Sequence, residues 1–340
     1  MQWFIVAPFQ SQENDQWLGQ FVPPGRHQFQ SVPPAYLHDR SRKATSGKQW
    51  LDYFRQARQA KKIASQCLEP AGLITNFPQL PLALGGLQRL ARRRTPILAW
   101  SFNIGTLPEG FKRVASKAAL SGINKFVVHS TAEIGACSEW LGLPKERFDF
   151  VPLQRPVAKL AISEDLDSPF ILSMGSAGRD YALLFQALED LPYRTIVVAG
   201  KHALEGLKVP ANVEIRRGLS LDECHALLQR ARFSVTPIAN TRTASGQVTL
   251  IDAMNYAKAQ VVTRCPGSVD YVDHRKQALL IEPGDVDALK ESLRELWEHD
   301  AFRKRLAENG RARMIAQFSD AAAGKRLGHI LDALEDELNS

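Results

Sequence analysis

Cysteine is scarce in this chain. Cys67, Cys137, Cys224 and Cys265 are the only four in 340 residues, with no CxxC pair and no Cys/His ligand spacing among them. That excludes a disulfide framework and a zinc site, and leaves the thiols as small core residues suited to a reducing, cytoplasmic compartment. Long apolar runs are also missing: none approaches the ~18–20 residues that cross a bilayer. Residues 1–7 lack a basic leader and read as a first strand, not as a signal peptide. No strand is followed by G-x-G-x-x-G, only by the partial match Gly175-Ser-Ala-Gly178, which argues against a dinucleotide oxidoreductase. Charge of neither sign dominates: hydrophobic residues are 44% and charged residues 23%, the composition of a folded globular protein.

The length predicts two domains of roughly 150 residues each. In the first half, strands are expected at 3–8, 72–76, 97–102, 125–129 and 148–153. Helices are expected at 49–66, at 82–94 and from Thr131, where Thr131 and Glu133 offer a start. Between 154 and 169 the pattern weakens and proline and acidic residues intrude, which marks a linker. A second series has strands at 170–174, 195–199, 213–216, 233–237, 260–263 and 278–281. Its helices fall at 181–189, 221–230, 249–256 and 287–297, with two more at 301–318 and 321–338 closing the chain. This alternation predicts parallel βαβ units in an α/β fold, divided into domains at 1–158 and 159–319.

The formal net charge of +7 is unevenly distributed. Residues 1–160 hold 21 Lys and Arg against 10 Asp and Glu, while residues 161–340 hold 22 against 26. The basic half includes runs at 40–43, 61–62 and 92–94. Such asymmetry fits a first half that meets an anionic partner, a membrane surface among them, or one that is simply solvated.

The segment richest in chemistry is 233–254, FSVTPIANTRTASGQVTLIDAM. It passes from a buried strand through a polar loop into a helix. A helix N-terminus at the carboxyl end of a parallel sheet offers N–H groups and partial positive charge to a diphosphate. Gly246 permits close backbone approach, Ser245 and Thr249 add hydroxyls, and Arg242 adds a full positive charge. Asp252 is placed to accept hydrogen bonds from ribose hydroxyls. A plain strand–loop–helix connection with a Ser245 cap fits the same residues.

From Ile171 to about Phe318 the chain resembles the donor domain of GT-B glycosyltransferases, especially retaining family 4. The resemblance rests on ILSMG at 171–175, IVVAG at 196–200, VEIRRG at 213–218, Pro237, IDAM at 251–254, VVT at 261–263, Gly267, DYV at 270–272 and LIEPG at 280–284. It implies two Rossmann-like parallel-sheet domains facing a cleft, with a final helix at about 320–338 returning to the N-terminal domain. It implies a hexosyltransferase-like enzyme that takes a nucleotide-diphosphate sugar as co-substrate, retains anomeric configuration and needs no further cofactor and no metal. Asp252 then stands at the ribose, and Ser245, Gly246, Gln247, Val248 and Thr249 at the diphosphate and sugar. Arg217, Gly218 and Leu219 stand at the base, with Arg179 and Lys201 as counter-ions of the leaving diphosphate. The sequence departs from the family in four places. Ala244 replaces the first glutamate of the E-x7-E pair, and Asp252 shortens the second. The usual Arg and Lys pair after the first donor-domain strand is represented only loosely by Arg179, and Pro8-Phe9-Gln10-Ser11-Gln12 replaces a Gly-Gly turn.

A glycan or lipid-linked acceptor is expected on the N-terminal half. Asp15 ranks first as general base, with His129 and Asn103 as further catalytic candidates and Glu13 and Asn76 near strand ends. A core role for His129 and turn roles for Asn76 and Asn103 remain open. Trp17 and Trp100 are candidates for a sugar platform, with core packing the other role for Trp100. The rival readings are a non-catalytic GT-B protein, which Ala244 motivates, and a sugar-nucleotide epimerase. No nucleic-acid-binding motif supports a nucleic-acid partner.

Overall fold

A parallel strand covered on both faces has to be apolar without a break, and Ile97–Trp100 is buried at all four positions. Its side chains alternate: Ile97 and Ala99 join one cluster with Leu73, Phe126 and Val128, while Leu98 and Trp100 join another with Ile74 and Val127. The computed structural model describes residues 1–8, 18–34, 36, 45–76, 79–91, 95–103, 107, 109–239 and 243–339. It comprises two compact units, Met1–Val151 with Ala323–Ser340, and Pro152–Ala322.

The first unit holds β1 (Gln2–Val6), β2 (Gln28–Val32), β3 (Ala71–Asn76), β4 (Ile97–Trp100), β5 (Lys125–Val128) and β6 (Phe148–Phe150). They form one parallel sheet in the order β2-β1-β3-β4-β5-β6. Helices α1 (Gly47–Gln66), α2 (Gln79–Leu90), α3 (Gly110–Leu120) and α4 (Thr131–Leu141) follow in the same unit. Tyr53, Ala57, Leu80, Leu84, Trp140 and Leu141 from α1, α2 and α4 pack on one sheet face.

Several boundaries move from those read in the sequence. Helix α1 starts at a capping box between Ser46 and Gln49. Helix α2 starts at Gln79, ahead of the expected 82, because Pro81 lies in its first turn where no N–H is required. Helix α4 is capped by Ser130, whose Oγ accepts from the Ala132 N–H. Glu133 reaches back to accept from the His129 N–H. Strand β2 and helix α3 escaped the sequence reading for one reason: each buries little. Only Val32 of β2 and Leu120 of α3 are buried, so neither carries a full apolar period.

The second unit holds β7 (Ile171–Met174), β8 (Thr195–Val198), β9 (Val213–Arg216), β10 (Phe233–Thr236), β11 (Gln260–Thr263) and β12 (Leu279–Ile281), close to the expected positions. Their parallel order is β12-β11-β10-β7-β8-β9. The helices are α5 (Tyr181–Leu188), α6 (Leu221–Arg230), α7 (Gln247–Asn255), α8 (Val286–Glu298) and α9 (Asp300–Arg313). On one face, Leu184 and Leu188 of α5 and Leu289 and Leu293 of α8 pack against Phe233 and Val235. On the other, Leu227 and Leu228 of α6 and Ala253 of α7 meet Phe170 and Leu172. The single helix expected over 301–318 ends its α-geometry at Arg313 and continues as a π-turn, Met314–Phe318. The wider turn seats Met314 and Phe318 in a core with Leu250, Ile251 and Met254.

Helix α10 (Asp320–Asn339) covers the remaining face of the first sheet. Its Leu327, Leu331 and Leu334 pack with Trp3, Ile74, Leu98 and Trp100. Trp100 is thereby a core residue and not a sugar platform; Trp17 lies outside the described residues. The four cysteines are free, with Cys137 and Cys265 buried. Among the described residues no helix is long and apolar enough to cross a membrane.

Leu327→Ala empties a fully buried position of α10. It is expected to cost about 2–5 kcal/mol, read as a lower melting temperature. An unchanged melting temperature would contradict the placement of α10 in that core.

Candidate functional site

Where the strand order of an open parallel sheet reverses, the two flanking loops separate and leave a crevice at the carboxyl edge. In the second unit this point lies between β7 and β10. The loop after β7 carries Arg179, and the loop after β10 leads to α7. A backbone bridge joins Arg179 to Ile238, with Asp180 N–H donating to Pro237 O and Ala239 N–H donating to Gly178 O.

The Arg179 side chain is turned inward. Its Nε donates to Met174 O at 3.1 Å and its two terminal nitrogens donate to Ala177 O at 3.1 Å and to Thr249 Oγ1 at 2.9 Å. Gly175, at φ +113°, admits this guanidinium; a Cβ there would fall 2.8 Å from it. Burial pushes the Arg179 pKa down, and the groups opposing that shift are Tyr181 and Cys265, not a carboxylate. A half-buried cation with no acidic partner among the described residues is a charge that a bound anion can compensate.

Helix α7 begins beside that cation. Gly246 is its N-cap in the left-handed conformation, φ +81°, and a Cβ there would lie 2.6 Å from Ile238 Cδ1. Glycine therefore satisfies both the backbone angle and the space. The cap supplies no side-chain oxygen to the first turn, formed by Gln247, Val248 and Thr249. Thr249 Oγ1 donates to Gly246 O while accepting from Arg179, which locks the cation to the helix end. Gln247 turns its side chain inward, with Nε2 donating to Tyr271 Oη at 3.4 Å. Val248 is exposed and Ser245 half-buried. Arg242 lies outside the described residues.

Asp252, one turn on from Thr249, is buried. Its Oδ1 accepts from Arg155 Nε at 3.2 Å, and its Oδ2 lies 4.0 Å from His225 Nε2. Burial pushes its carboxyl pKa up, and Arg155, followed by His225, draws it down. Neither partner was foreseen. Arg155 stands 97 positions away in the stretch read as a linker, and His225 sits on α6 with no motif around it.

The remaining donor-side candidates are more dispersed. Leu219 packs with Met174, Val198 and Tyr256 against the α6–α7 core. Arg217 and Lys201 are exposed. The loop carrying Lys201 is stitched to the β7 loop by Gly200 N–H donating to Ser176 Oγ at 2.7 Å.

A separate polar cluster occupies the carboxyl edge of the first sheet. His129 is buried; its Nδ1 lies 2.7 Å from Val151 O and its Nε2 3.0 Å from Ser101 Oγ. A carbonyl only accepts, so Nδ1 carries the proton and Nε2 accepts from the serine hydroxyl. Burial pushes the imidazole pKa down, which keeps it neutral. Ser101 holds φ +55°, a strained conformation for serine that aims its hydroxyl at His129. Asn103 is exposed and donates its backbone N–H to Ser101 O. Asp15, Glu13 and the basic runs at 40–43 and 92–94 lie outside the described residues.

Residues 157–313 match the family model for glycosyl transferases group 1. The matched segment lies wholly within the second unit. No curated protein matches the chain by sequence. The fold is GT-B, shared along nearly the full length with solved glycosyltransferases. A glycosyltransferase from Rickettsia africae superposes with a TM-score of 0.67 at 15% identity, covering 98% of each chain. Sucrose-phosphate synthase from Thermosynechococcus elongatus gives 0.69 at 14% identity, covering 99% of this chain and 100% of its own. Anabaena HepE in complex with UDP-glucose gives 0.65 at 14% identity, covering 82% of each.

In this glycosyltransferase the structure brings Arg179, Gly246 and Thr249 together at one helix end. Asp252 stands one turn away on the same helix. Ser101, which escaped the sequence reading, was invisible because a serine after a strand carries no signal until its φ is known. Replacing Gly246 by Ala is expected to cost about 1–2 kcal/mol for the left-handed angle alone. Chemical denaturation measures it, and a variant as stable as the wild type would contradict the φ assigned to this cap.

Proposed function

We propose that this glycosyltransferase moves a sugar from a nucleoside-diphosphate donor to a hydroxyl of a glycan or lipid-linked acceptor, with retention and without a metal. The observation that carries this reading is Arg179: a half-buried guanidinium with no carboxylate among the groups that shift it, tied through Thr249 to the N-terminus of α7. Breaking the bond from the anomeric carbon to the diphosphate leaves negative charge on the departing phosphate. A pre-aimed guanidinium and a helix N-terminus stabilise that charge without reorganising. They supply positive charge of the kind a divalent cation would otherwise provide.

Asp252 is assigned to the ribose, Arg217 and Leu219 to the base, and Lys201 and Arg242 to the outer phosphate surface. Ser245, Gln247 and Val248 contribute the backbone around the diphosphate and sugar. If attack comes on the face the leaving group departs from, the acceptor hydroxyl forms its bond to the anomeric carbon beside the departing phosphate. A phosphate oxygen can then take its proton. In this scheme Asn103 orients sugar or acceptor hydroxyls and Asp15 is the alternative base, while His129, its two nitrogens taken by Val151 O and Ser101 Oγ, acts by holding Ser101 in place. Ala244, in place of the family's first glutamate, favours a second reading in which the donor is bound but not turned over.

A thermal-shift screen with UDP, GDP, ADP, TDP and CMP tests the donor assignment. A ligand at ~100 times its dissociation constant adds about 2.7 kcal/mol to stability. One nucleoside diphosphate should raise the melting temperature of the wild type and not that of Arg179→Gln. No shift from any of them would overturn the proposal, and a shift without turnover of the matching sugar donors would favour the second reading.

The excess of cations in residues 1–160 supports a further part of the proposal, attraction of the first unit to an anionic membrane surface. Co-sedimentation with anionic liposomes should exceed that with neutral ones and fall as salt rises. Equal, salt-insensitive recovery would rule it out.

A further inference from the structure

Helix α7 places opposite charges one turn apart, Arg179 held at Thr249 and the carboxylate of Asp252. The donor reading accounts for the cation through the diphosphate, but it does not explain how so enclosed a carboxylate stays fit to accept hydroxyl hydrogen bonds. The Asp252 side chain is only 9% exposed. A carboxylate withdrawn from water to that degree takes up a proton unless a cation stands beside it.

Arg155 is that cation, and it is held firmly. Its backbone N–H donates to Phe318 O at 2.9 Å, and the residue forms a bridge to Ser319. Its guanidinium donates from Nε to Asp252 Oδ1 and from a terminal nitrogen to Gln154 O at 3.2 Å. The contact uses one carboxylate oxygen. The second, Oδ2, faces His225 Nε2 across 4.0 Å, beyond hydrogen-bond length. Tyr256 lies against His225 with ring centroids 5.0 Å apart and planes tilted by 43°, so the imidazole is braced from the side.

We propose that Arg155 is a positioning residue for the donor: it occupies Oδ1 of Asp252 and leaves Oδ2, beside His225, for the vicinal hydroxyls of the donor ribose. This rests on the nucleoside-diphosphate reading above and assigns to it a residue outside the matched domain, which begins at residue 157. Among the described residues, the groups facing Asp252 are Arg155 from the linking segment, His225 from α6, and Tyr256 at the C-cap of its own helix. Asp222 of α6 acts on Tyr256, and Asp320 at the start of α10 shares Arg155. In Arg155→Gln the main opposing charge is gone, and burial drives the carboxyl further up. Ribose binding should then weaken as pH falls, over a range where the wild type changes little.

The test is calorimetric titration of the full chain with UDP, GDP and ADP, each beside its 2′,3′-dideoxy analogue, and with inorganic pyrophosphate. Arg155→Gln should weaken the ribonucleoside diphosphate that binds by about 10- to 100-fold. Its affinity for the dideoxy analogue and for pyrophosphate should stay within about twofold, and Arg155→Lys should restore part of the loss. With a sugar donor, the change should appear in KM more than in kcat. An equal loss for all three probes would overturn the proposal, because Arg155 would then act on the fold and not on the ribose. A loss for none of them would overturn it as well. Failure of the wild type to bind any nucleoside diphosphate would instead defeat the donor reading itself.

Discussion

A guanidinium partly withdrawn from water, with no carboxylate beside it among the described residues, is held by neutral acceptors, and the arrangement around Arg179 in the second unit follows from that requirement. Two backbone carbonyls of the β7 loop and the Thr249 hydroxyl take its three hydrogen bonds. Those bonds join the two loops that flank the reversal of strand order. They also demand glycine at two places: Gly175, where a side chain would strike the guanidinium, and Gly246, where the chain enters α7 left-handed. The result is positive charge fixed before any ligand arrives, which is the condition under which electrostatic stabilisation of a leaving group costs least.

The opposite problem is solved on the same helix. Asp252 is a buried anion, and its partner comes from the segment that enters the second unit. Residues 249 and 252 are three apart and so share a helix face. A ligand laid along that face meets cationic character at one end and a hydrogen-bond acceptor at the other. A nucleoside diphosphate has the matching polarity, with phosphate charge at one end and hydroxyl donors on the ribose. That match of polarity, more than any single contact, is why the donor reading is preferred over an unspecialised loop.

In the first unit the polar cluster obeys a different rule. His129 is buried and neutral, bonded at both nitrogens, and Ser101 accepts backbone strain to reach it. Strain of this kind survives only where the surroundings over-determine it. Here Phe102 N–H donates to Val127 O and pins the chain immediately after the strained residue.

The β–α alternation, the parallel sheets and the presence of the site helix were legible in the sequence, though that helix was read from 249 with Ser245 as a possible cap, where the structure starts it at Gln247 with Gly246 as the cap. Each is set by local periodicity or by a backbone angle that favours one residue type. The elements that were missed, β2 and α3, bury too few side chains to impose a period, and Ser130 displaced Thr131 as a cap by a single position. The charge partners were not legible at all. Arg155 and Asp252 are 97 residues apart, and Arg179 and Thr249 are 70 apart. Which cation meets which carboxylate, and which is left without one, depends on how the chain brings distant loops together. No periodicity records that, so the sequence by itself determined the architecture and the helix that forms the site. Only the tertiary structure decided that Arg179 would meet no acid among the described residues and that Asp252 would not stand alone.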